Sequence, residues 1–112
     1  MGLFDRFRRN PGAGSHGTTT GHNLAYLRAW AGERRGIEVY VEPKTSVIPT
    51  TVVLVAHDGE WTRRRVDGPG TAYQFGRELG IPVYDVALVG YPRRMRDYTS
   101  RRAARRRAEG QE

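Results

Sequence analysis

The sequence contains no cysteine, and Lys44 is its single lysine. The absence of cysteine excludes a disulfide scaffold, a thiolate-held zinc or iron–sulfur site and a thiol nucleophile. The longest apolar run, Val52–Ala56, has five residues, far fewer than the roughly 20 that cross a bilayer. No N-terminal apolar stretch reaches the roughly 7 residues of a secretory signal core. We therefore expect a cytoplasmic protein.

The basic residues are concentrated at the two ends of the 112-residue chain, whose formal net charge is +7. Residues 22–91 hold eight basic and eight acidic side chains, whereas residues 92–112 hold eight arginines against three acids. This division predicts a single folded domain (22–91), an N-terminal segment (1–21) and an arginine-rich, partly helical C-terminal arm (92–112). The preference for arginine either suits phosphate binding or reflects the composition of the genome.

The N-terminal segment joins a short basic amphipathic stretch to a region with little apolar surface. The apolar side of the stretch consists of Leu3, Phe4 and Phe7, which makes weak contact with an anionic membrane one hypothesis. Nine of the twelve positions from Asn10 to Gly21 are Gly, Pro, Ser or Thr, a composition typical of a flexible linker. Residues 12–17 match G-x-G-x-x-G but lack the flanking strand and helix of a dinucleotide site. We therefore predict no cofactor.

Hydrophobic periodicity in the central domain predicts the element order α-β-β-β-α-β. The predicted elements are helix His22–Arg35, strands Ile37–Glu42, Thr50–His57 and Glu60–Val66, a helix from Thr71 to Leu79, and strand Ile81–Val89. Asp58–Gly59 is a strong hairpin signal between the second and third strands. We expect a two-layer α+β domain in which two helices pack on a small, mostly antiparallel four-stranded sheet.

Local signals set the expected ends of the two helices, and the helical spacing of Leu24, Leu27, Trp30 and Ala31 predicts the apolar face of the first. Asn23 is the predicted N-cap of the first helix and Gly36 its C-terminal stop. Thr71 and Gln74 match a capping box at the start of the second helix. Gly76 is unfavourable inside a helix, so we expect the second helix to approach the sheet closely there.

The third strand carries the first group of candidate contacts for an anion or nucleic acid. Arg63 and Arg65 project to the same face as Trp61, and Arg64 projects to the other. One interpretation is a solvated edge strand whose arginines pair with Glu38, Glu42 or Asp85; the other is a phosphate-binding stripe with Trp61 as a stacking partner. Both interpretations stay open.

The C-terminal arm carries the second group of candidate contacts. They are Arg93, Arg94, Arg96, Arg101, Arg102, Arg105, Arg106 and Arg107. Spacings of four place several of these charges on one side of a helix. Charge alone predicts adhesion to RNA, DNA or another anionic surface, and a solubilising tail without a partner is the alternative.

Signals for catalysis are few, and we predict no catalytic or metal-binding residue. His57, Asp58 and Glu60 cluster at the hairpin, where turn chemistry already accounts for Asp58. No Ser–His–acid set or carboxylate pair has a defensible spacing. The element order also occurs in PD-(D/E)XK nucleases and, in part, in double-stranded-RNA-binding domains, but their metal-binding and lysine contact residues are missing here.

Two stretches carry a resemblance to a family: Val53–Val66 (VLVAHDGEWTRRRV) and Leu79–Tyr98 (LGIPVYDVALVGYPRRMRDY). Together with the MGLFDRFRR start, they resemble small, arginine-rich actinobacterial proteins of about this length, some of which are automatically labelled "oxidoreductase". The resemblance covers roughly residues 24–100. It supplies no catalytic residue or cofactor motif.

Three functional hypotheses follow from the sequence. The leading one is a non-enzymatic binding or accessory module whose arginine-rich arm contacts an anionic partner, most plausibly RNA or a ribonucleoprotein. The second is an oligomeric or protein-interaction scaffold whose basic tails only aid solubility. The third is a small enzyme with a site around His57, Asp58 and the arginines at positions 63–65.

Overall fold

A computed structural model of the protein describes residues 11–110, with side chains from residue 19 onward. Its elements are α1 (Pro11–Gly32), β1 (Glu38–Glu42), β2 (Thr51–Val55), β3 (Trp61–Arg65), α2 (Pro69–Leu79), β4 (Val83–Asp85), α3 (Val86–Val89) and α4 (Arg93–Gly110). The predicted α+β class and the order α-β-β-β-α-β are confirmed. The hypothesis for Leu3, Phe4 and Phe7 concerns residues outside the described part of the chain.

The four strands form one mixed sheet in the order β3-β2-β1-β4. β2 pairs antiparallel with β1 and with β3, whereas β4 runs parallel to β1. The mostly antiparallel sheet is therefore as expected. β2 lies inside the sheet and is buried from Val52 to Val55, which explains why its sequence lacks the polar alternation of a half-exposed strand.

One face of the sheet packs against α1 and α2. Leu27 and Trp30 of α1 and Phe75 of α2 are buried against the inward side chains of β1 and β2. The helical periodicity therefore identified the correct faces. Gly76 is also confirmed as a close approach, because a Cβ built there would lie 2.1 Å from Cγ2 of Val83.

The opposite face of the sheet is covered by the beginning of α4. Met95 packs with Tyr40, Val53 and Val55 in a second buried cluster. The predicted two-layer arrangement did not include a helix on this face. The alternation in β1 places Tyr40 on the polar side of the strand, but α4 buries it. The first half of the predicted arm thus belongs to the folded core.

Helix α1 begins at Pro11, eleven residues before the predicted start at His22. The backbone of residues 11–21, which we expected to be a linker, is therefore helical. Thr20 is buried, and tertiary packing of this kind stabilises helices of poor intrinsic propensity. Asn23 is consequently not an N-cap; its side-chain Nδ2 donates to the carbonyl oxygen of Arg65 at 2.7 Å.

The remaining differences concern the ends of elements. Asp85 ends the predicted last strand after three residues, because its carboxylate accepts from the backbone N–H of Ala87 and caps α3. Helix α2 begins at Pro69 without a side-chain cap, so the predicted capping box is wrong. α1 ends at Gly32, and Gly36 lies beyond it in the left-handed conformation (φ 64°).

Candidate nucleic-acid interface

Helix α4 is fixed to the sheet by contacts of its first turns. Nε of Arg94 donates to the carbonyl oxygen of Ala56 at 2.9 Å, and its guanidinium pairs with Glu38 at 2.8 Å. Glu38 also accepts from the hydroxyl of Tyr40, whose burial and carboxylate partner raise its pKa to about 12. A buried phenol, a carboxylate and a guanidinium thus hold the start of α4 in one place.

The β2–β3 hairpin provides the second half of the docking surface for α4. Gly59, at φ 94°, lies so close to α4 that a Cβ there would be 2.0 Å from the carbonyl oxygen of Arg94. Nε1 of Trp61 donates to the hydroxyl of Thr99 at 3.0 Å, and Arg101 donates to the carbonyl oxygen of Asp58 at 3.2 Å. The docked part of α4 therefore ends near residue 101.

Beyond the hairpin, the side of α4 that carries its contacts with the domain is occupied by arginines. At steps of three or four residues this side carries Met95, Thr99, Arg102 and Arg106. Met95 is buried and Thr99 bonds to the hairpin, whereas Arg102 and Arg106 are exposed. An α-helix rises about 1.5 Å per residue. The last turns of α4 therefore hold these charges away from the domain, while its first turns are packed against the sheet.

We define the arginine end of α4 as the four guanidinium groups that follow the docked part. They are Arg102, Arg105, Arg106 and Arg107. All four are exposed, and within residues 19–110 none has a hydrogen-bond or ion-pair partner. Arginines at this spacing repel one another when nothing neutralises them. The arginine end is therefore a concentrated group of positive charges without partners among residues 19–110.

Of the candidate arginines on β3, Arg63 is used internally. Nε and Nη2 of Arg63 donate to the two carboxylate oxygens of Glu42 at 2.8 and 2.9 Å, which is one of the pairings expected for an edge strand. Burial opposes ionisation of Glu42, but hydrogen bonds from Arg63, Thr51 and Tyr91 outweigh it and lower the pKa of this carboxyl. The same carboxylate holds the pKa of the Arg63 guanidinium above its ordinary value.

Arg64 and Arg65 contribute instead to an open groove between α1 and the edge of the sheet. This basic groove has a volume of about 340 Å³ and is lined by Thr19, Asn23, Thr51, Arg63, Arg64 and Arg65. The Arg64 guanidinium lies 3.8 Å from the ring centre of Tyr26 on α1, whereas Arg63 lies over Trp61 on the α4 side. The alternation predicted for these arginines is therefore confirmed.

The histidine and acids of the hairpin surround a second open pocket, of about 330 Å³. Glu60 is bound by Arg34 through two contacts of 3.0 Å, and Arg34 also lies over the ring of Trp30. Asp58 accepts from the backbone N–H of Glu60 within the turn. These acids therefore have structural partners. The described residues include no group of three His, Asp or Glu that could hold a metal ion.

The structure therefore divides the twelve candidate contacts by role. Arg94, Arg101 and Trp61 hold α4 on the domain, and Arg96 donates to the carbonyl oxygen of Tyr91 at 3.3 Å. Arg93 is exposed at the start of α4. The candidates that remain available for a ligand, in groups, are the arginine end and the pair Arg64 and Arg65 of the basic groove, because Glu42 binds Arg63.

Sequence reasoning missed several of the contacts that hold these surfaces in place. Glu42 accepts a short hydrogen bond from Tyr91, just before α4, and this long-range contact has no sequence signal. Met95 was detectable: it lies four residues before Thr99 at helical spacing within a polar segment. Asn23 and Thr51 of the groove are ordinary polar residues that only the fold brings together.

No helix in the described part of the chain is long and apolar enough to cross a bilayer. Comparisons of the chain with protein-family models, curated proteins and solved structures find no match.

Proposed function

We propose that this protein is a non-enzymatic binding module that presents the arginine end of α4 to an anionic macromolecule, RNA or a ribonucleoprotein. The observation that carries the proposal is the contrast along α4. Arg94 and Arg101 are held by the domain, whereas the four guanidinium groups of the arginine end are exposed and have no partner among residues 19–110. Phosphate is the ligand that suits such guanidinium groups, because it accepts two parallel N–H hydrogen bonds.

The docking of α4 favours binding energetically. An arginine segment that must fold on its partner loses conformational entropy at that step. Here Met95, Arg94 and Gly59 already fix the direction of the helix. Phosphate groups would also relieve the repulsion between arginines four residues apart. Binding should therefore make the end of α4 more helical.

Fluorescence anisotropy with a labelled single-stranded RNA and the full chain tests the proposal. If four guanidinium groups each neutralise one phosphate, the logarithm of the association constant should fall with the logarithm of salt with a slope of about −3. Between 50 and 200 mM salt that slope is a roughly 50-fold loss of affinity. Absence of RNA binding at 50 mM salt would contradict the proposal.

Substitution is a better test than truncation. Deletion of residues 92–112 would remove Met95 from a buried cluster and Arg94 from its carbonyl and carboxylate partners. Loss of binding could then reflect a damaged core. Arg102→Gln with Arg106→Gln removes two exposed charges and leaves those contacts in place.

A second candidate function is protein interaction or self-association through α3. Leu88 is 83% exposed and Val89 58% exposed, and both follow β4, an edge strand of the sheet. Light scattering on the full chain separates the two functions. A stable dimer that ignores salt and is lost in Leu88→Ser would favour self-association, whereas a monomer at all salt concentrations would count against it.

A further inference from the structure

The basic groove is lined by groups that suit the sugar–phosphate backbone of a nucleic acid. Its lining consists of three guanidinium groups, two hydroxyls and one amide, without a carboxylate. Its volume of about 340 Å³ is in the range of pockets that hold small ligands. Backbone contacts in nucleic-acid complexes come from these side-chain types, with arginine on the phosphate and Ser, Thr or Asn beside it.

The three arginines of the groove are not equally available. Glu42 binds Arg63 through two hydrogen bonds. Arg64 uses one N–H for the carbonyl oxygen of Arg63 and lies over Tyr26, which fixes the plane of its guanidinium and leaves its other N–H groups available. The exposed Arg65 side chain has no hydrogen-bond or ion-pair partner among residues 19–110. Arg65 is therefore the groove's principal free cation, with Arg64 beside it.

The groove lies at the other end of β3 from the arginine end of α4 and opens across the edge of the sheet, because Arg63 and Arg65 share the face of Trp61 and Arg64 projects to the other face. Arg64 contacts α1 on one face, whereas Trp61 bonds to α4 on the other. From Trp61 to Arg65 the strand spans about 13 Å at the usual rise per residue. A ligand that ran from the arginine end past Arg65 to Arg64 and Asn23 would have to bend around this edge of the sheet.

A stiff duplex cannot follow such a path, because its persistence length is about 50 nm. A single strand bends freely and is bound by grooves that combine cations with aromatic rings. Along the path lie the half-buried ring of Trp61 and the guanidinium of Arg63 above it. The geometry therefore favours an unpaired strand over a double helix.

We infer that the basic groove is a second contact site, which binds the phosphodiester backbone of the single-stranded RNA held by the arginine end of α4. This inference rests on the proposed function and adds the class of RNA and the site. It assigns Arg65 as the phosphate contact, Arg64 as its neighbour, and Asn23 as a contact to phosphate or sugar. A strand long enough to reach both surfaces gains affinity from each.

Binding of oligonucleotides of different length to full-length variants tests the inference. The variants are Arg65→Gln and, as a control of equal charge, Arg77→Gln, which removes an exposed arginine from α2. The probes are fluorescein-labelled oligouridylates of about 4 and about 12 nucleotides and a duplex RNA of the longer length. We expect Arg65→Gln to weaken binding of the longer single strand about tenfold relative to Arg77→Gln. The short strand and the duplex should change by less than about twofold.

The other outcomes separate this inference from the proposed function. If Arg65→Gln and Arg77→Gln bind the longer strand equally, the groove is not a contact site, while binding through α4 still stands. An equal loss for duplex and single strand would overturn the assignment to unpaired RNA. If the unsubstituted chain binds none of the probes, both the inference and the proposed function are wrong.

Discussion

Glu42 shows how one carboxylate determines what nearby side chains can do. It accepts hydrogen bonds from Arg63, Thr51 and Tyr91, which come from two strands and from the segment before α4. Arg63 is therefore held at the sheet, whereas the neighbouring Arg65 lacks such a partner in the described structure. At the residue scale, access to a carboxylate decides which arginines remain available for a ligand.

Replacing Glu42 with Gln should lower stability at neutral pH and matter little in acid. The folded state holds the pKa of Glu42 below its ordinary value of 4.5, so its ionised form contributes stability above that value. The contribution is lost as the pH falls through the lower, folded-state pKa. Urea unfolding should show Glu42→Gln less stable by about 1–2 kcal/mol at pH 7. The difference should shrink as the pH is lowered from 4.5 towards 2.

The exposed Glu33 provides the control for this measurement. Its side chain is 76% exposed, so Glu33→Gln should change the free energy of unfolding by less than about 0.5 kcal/mol at either pH. A Glu42→Gln penalty that stayed constant from pH 7 to pH 2 would contradict the role given to the ionised carboxylate.

Two glycines of α2 should respond differently to alanine. A Cβ at position 76 would lie 2.1 Å from Cγ2 of Val83 and 2.9 Å from the carbonyl oxygen of Ile81. Gly76→Ala should therefore destabilise the protein by about 2–3 kcal/mol despite its better helix propensity. Gly70→Ala meets no atom within 4 Å and should be neutral or slightly stabilising. Thermal unfolding of both variants measures the contrast, and equal melting temperatures would disprove the close packing.

At the scale of elements, the packing of α4 is the feature on which the proposed function depends. Its first turns bury Met95 and bind the hairpin, and its last turns carry arginines that have no partner in the described part of the chain. The amphipathic part of α4 is short, because apolar contact is limited to the region over the sheet. The rest of α4 extends helical turns that are already packed on the sheet, so it does not bear the free-energy cost of helix nucleation.

Substitution of Gly59 should release α4 from the hairpin. Any side chain there would meet the carbonyl oxygen of Arg94 at 2.0 Å, in a backbone conformation (φ 94°) that favours glycine. We expect Gly59→Ala to cost about 3 kcal/mol and to increase hydrogen exchange of the α4 amides. Gly32→Ala, with open space around it, is the control and should leave exchange unchanged. Protection of α4 in Gly59→Ala equal to that of the unsubstituted chain would contradict this docking.

Elements were predictable where a local pattern reflected their burial. The apolar arc of Leu27 and Trp30 and the close approach at Gly76 could be read from the sequence, because helical spacing and an unfavourable glycine both report packing. The burial of Tyr40 could not be read from the local sequence, because it depends on α4, which lies more than fifty residues later in the chain. The last strand was predicted too long, because Asp85 caps α3 within an otherwise strand-like run.

At the scale of the whole molecule, the division of charge seen in the sequence has a structural counterpart. The centre pairs several of its charges internally, as in Arg34 with Glu60 and Arg63 with Glu42. The excess positive charge of the C-terminal residues lies on α4, which the central domain holds in place. The candidate site was therefore predictable as a set of arginines, but its division into docking and exposed groups required the fold.

A comparison of two double variants with equal charge tests the central claim most directly. Arg102→Gln with Arg106→Gln alters the arginine end, and Arg35→Gln with Arg77→Gln removes two exposed arginines elsewhere. At one fixed salt concentration, we expect the first to raise the dissociation constant for single-stranded RNA about 30-fold. The second should raise it less than about threefold. Equal losses in the two variants would show that net charge alone attracts RNA and would contradict a binding surface at the end of α4.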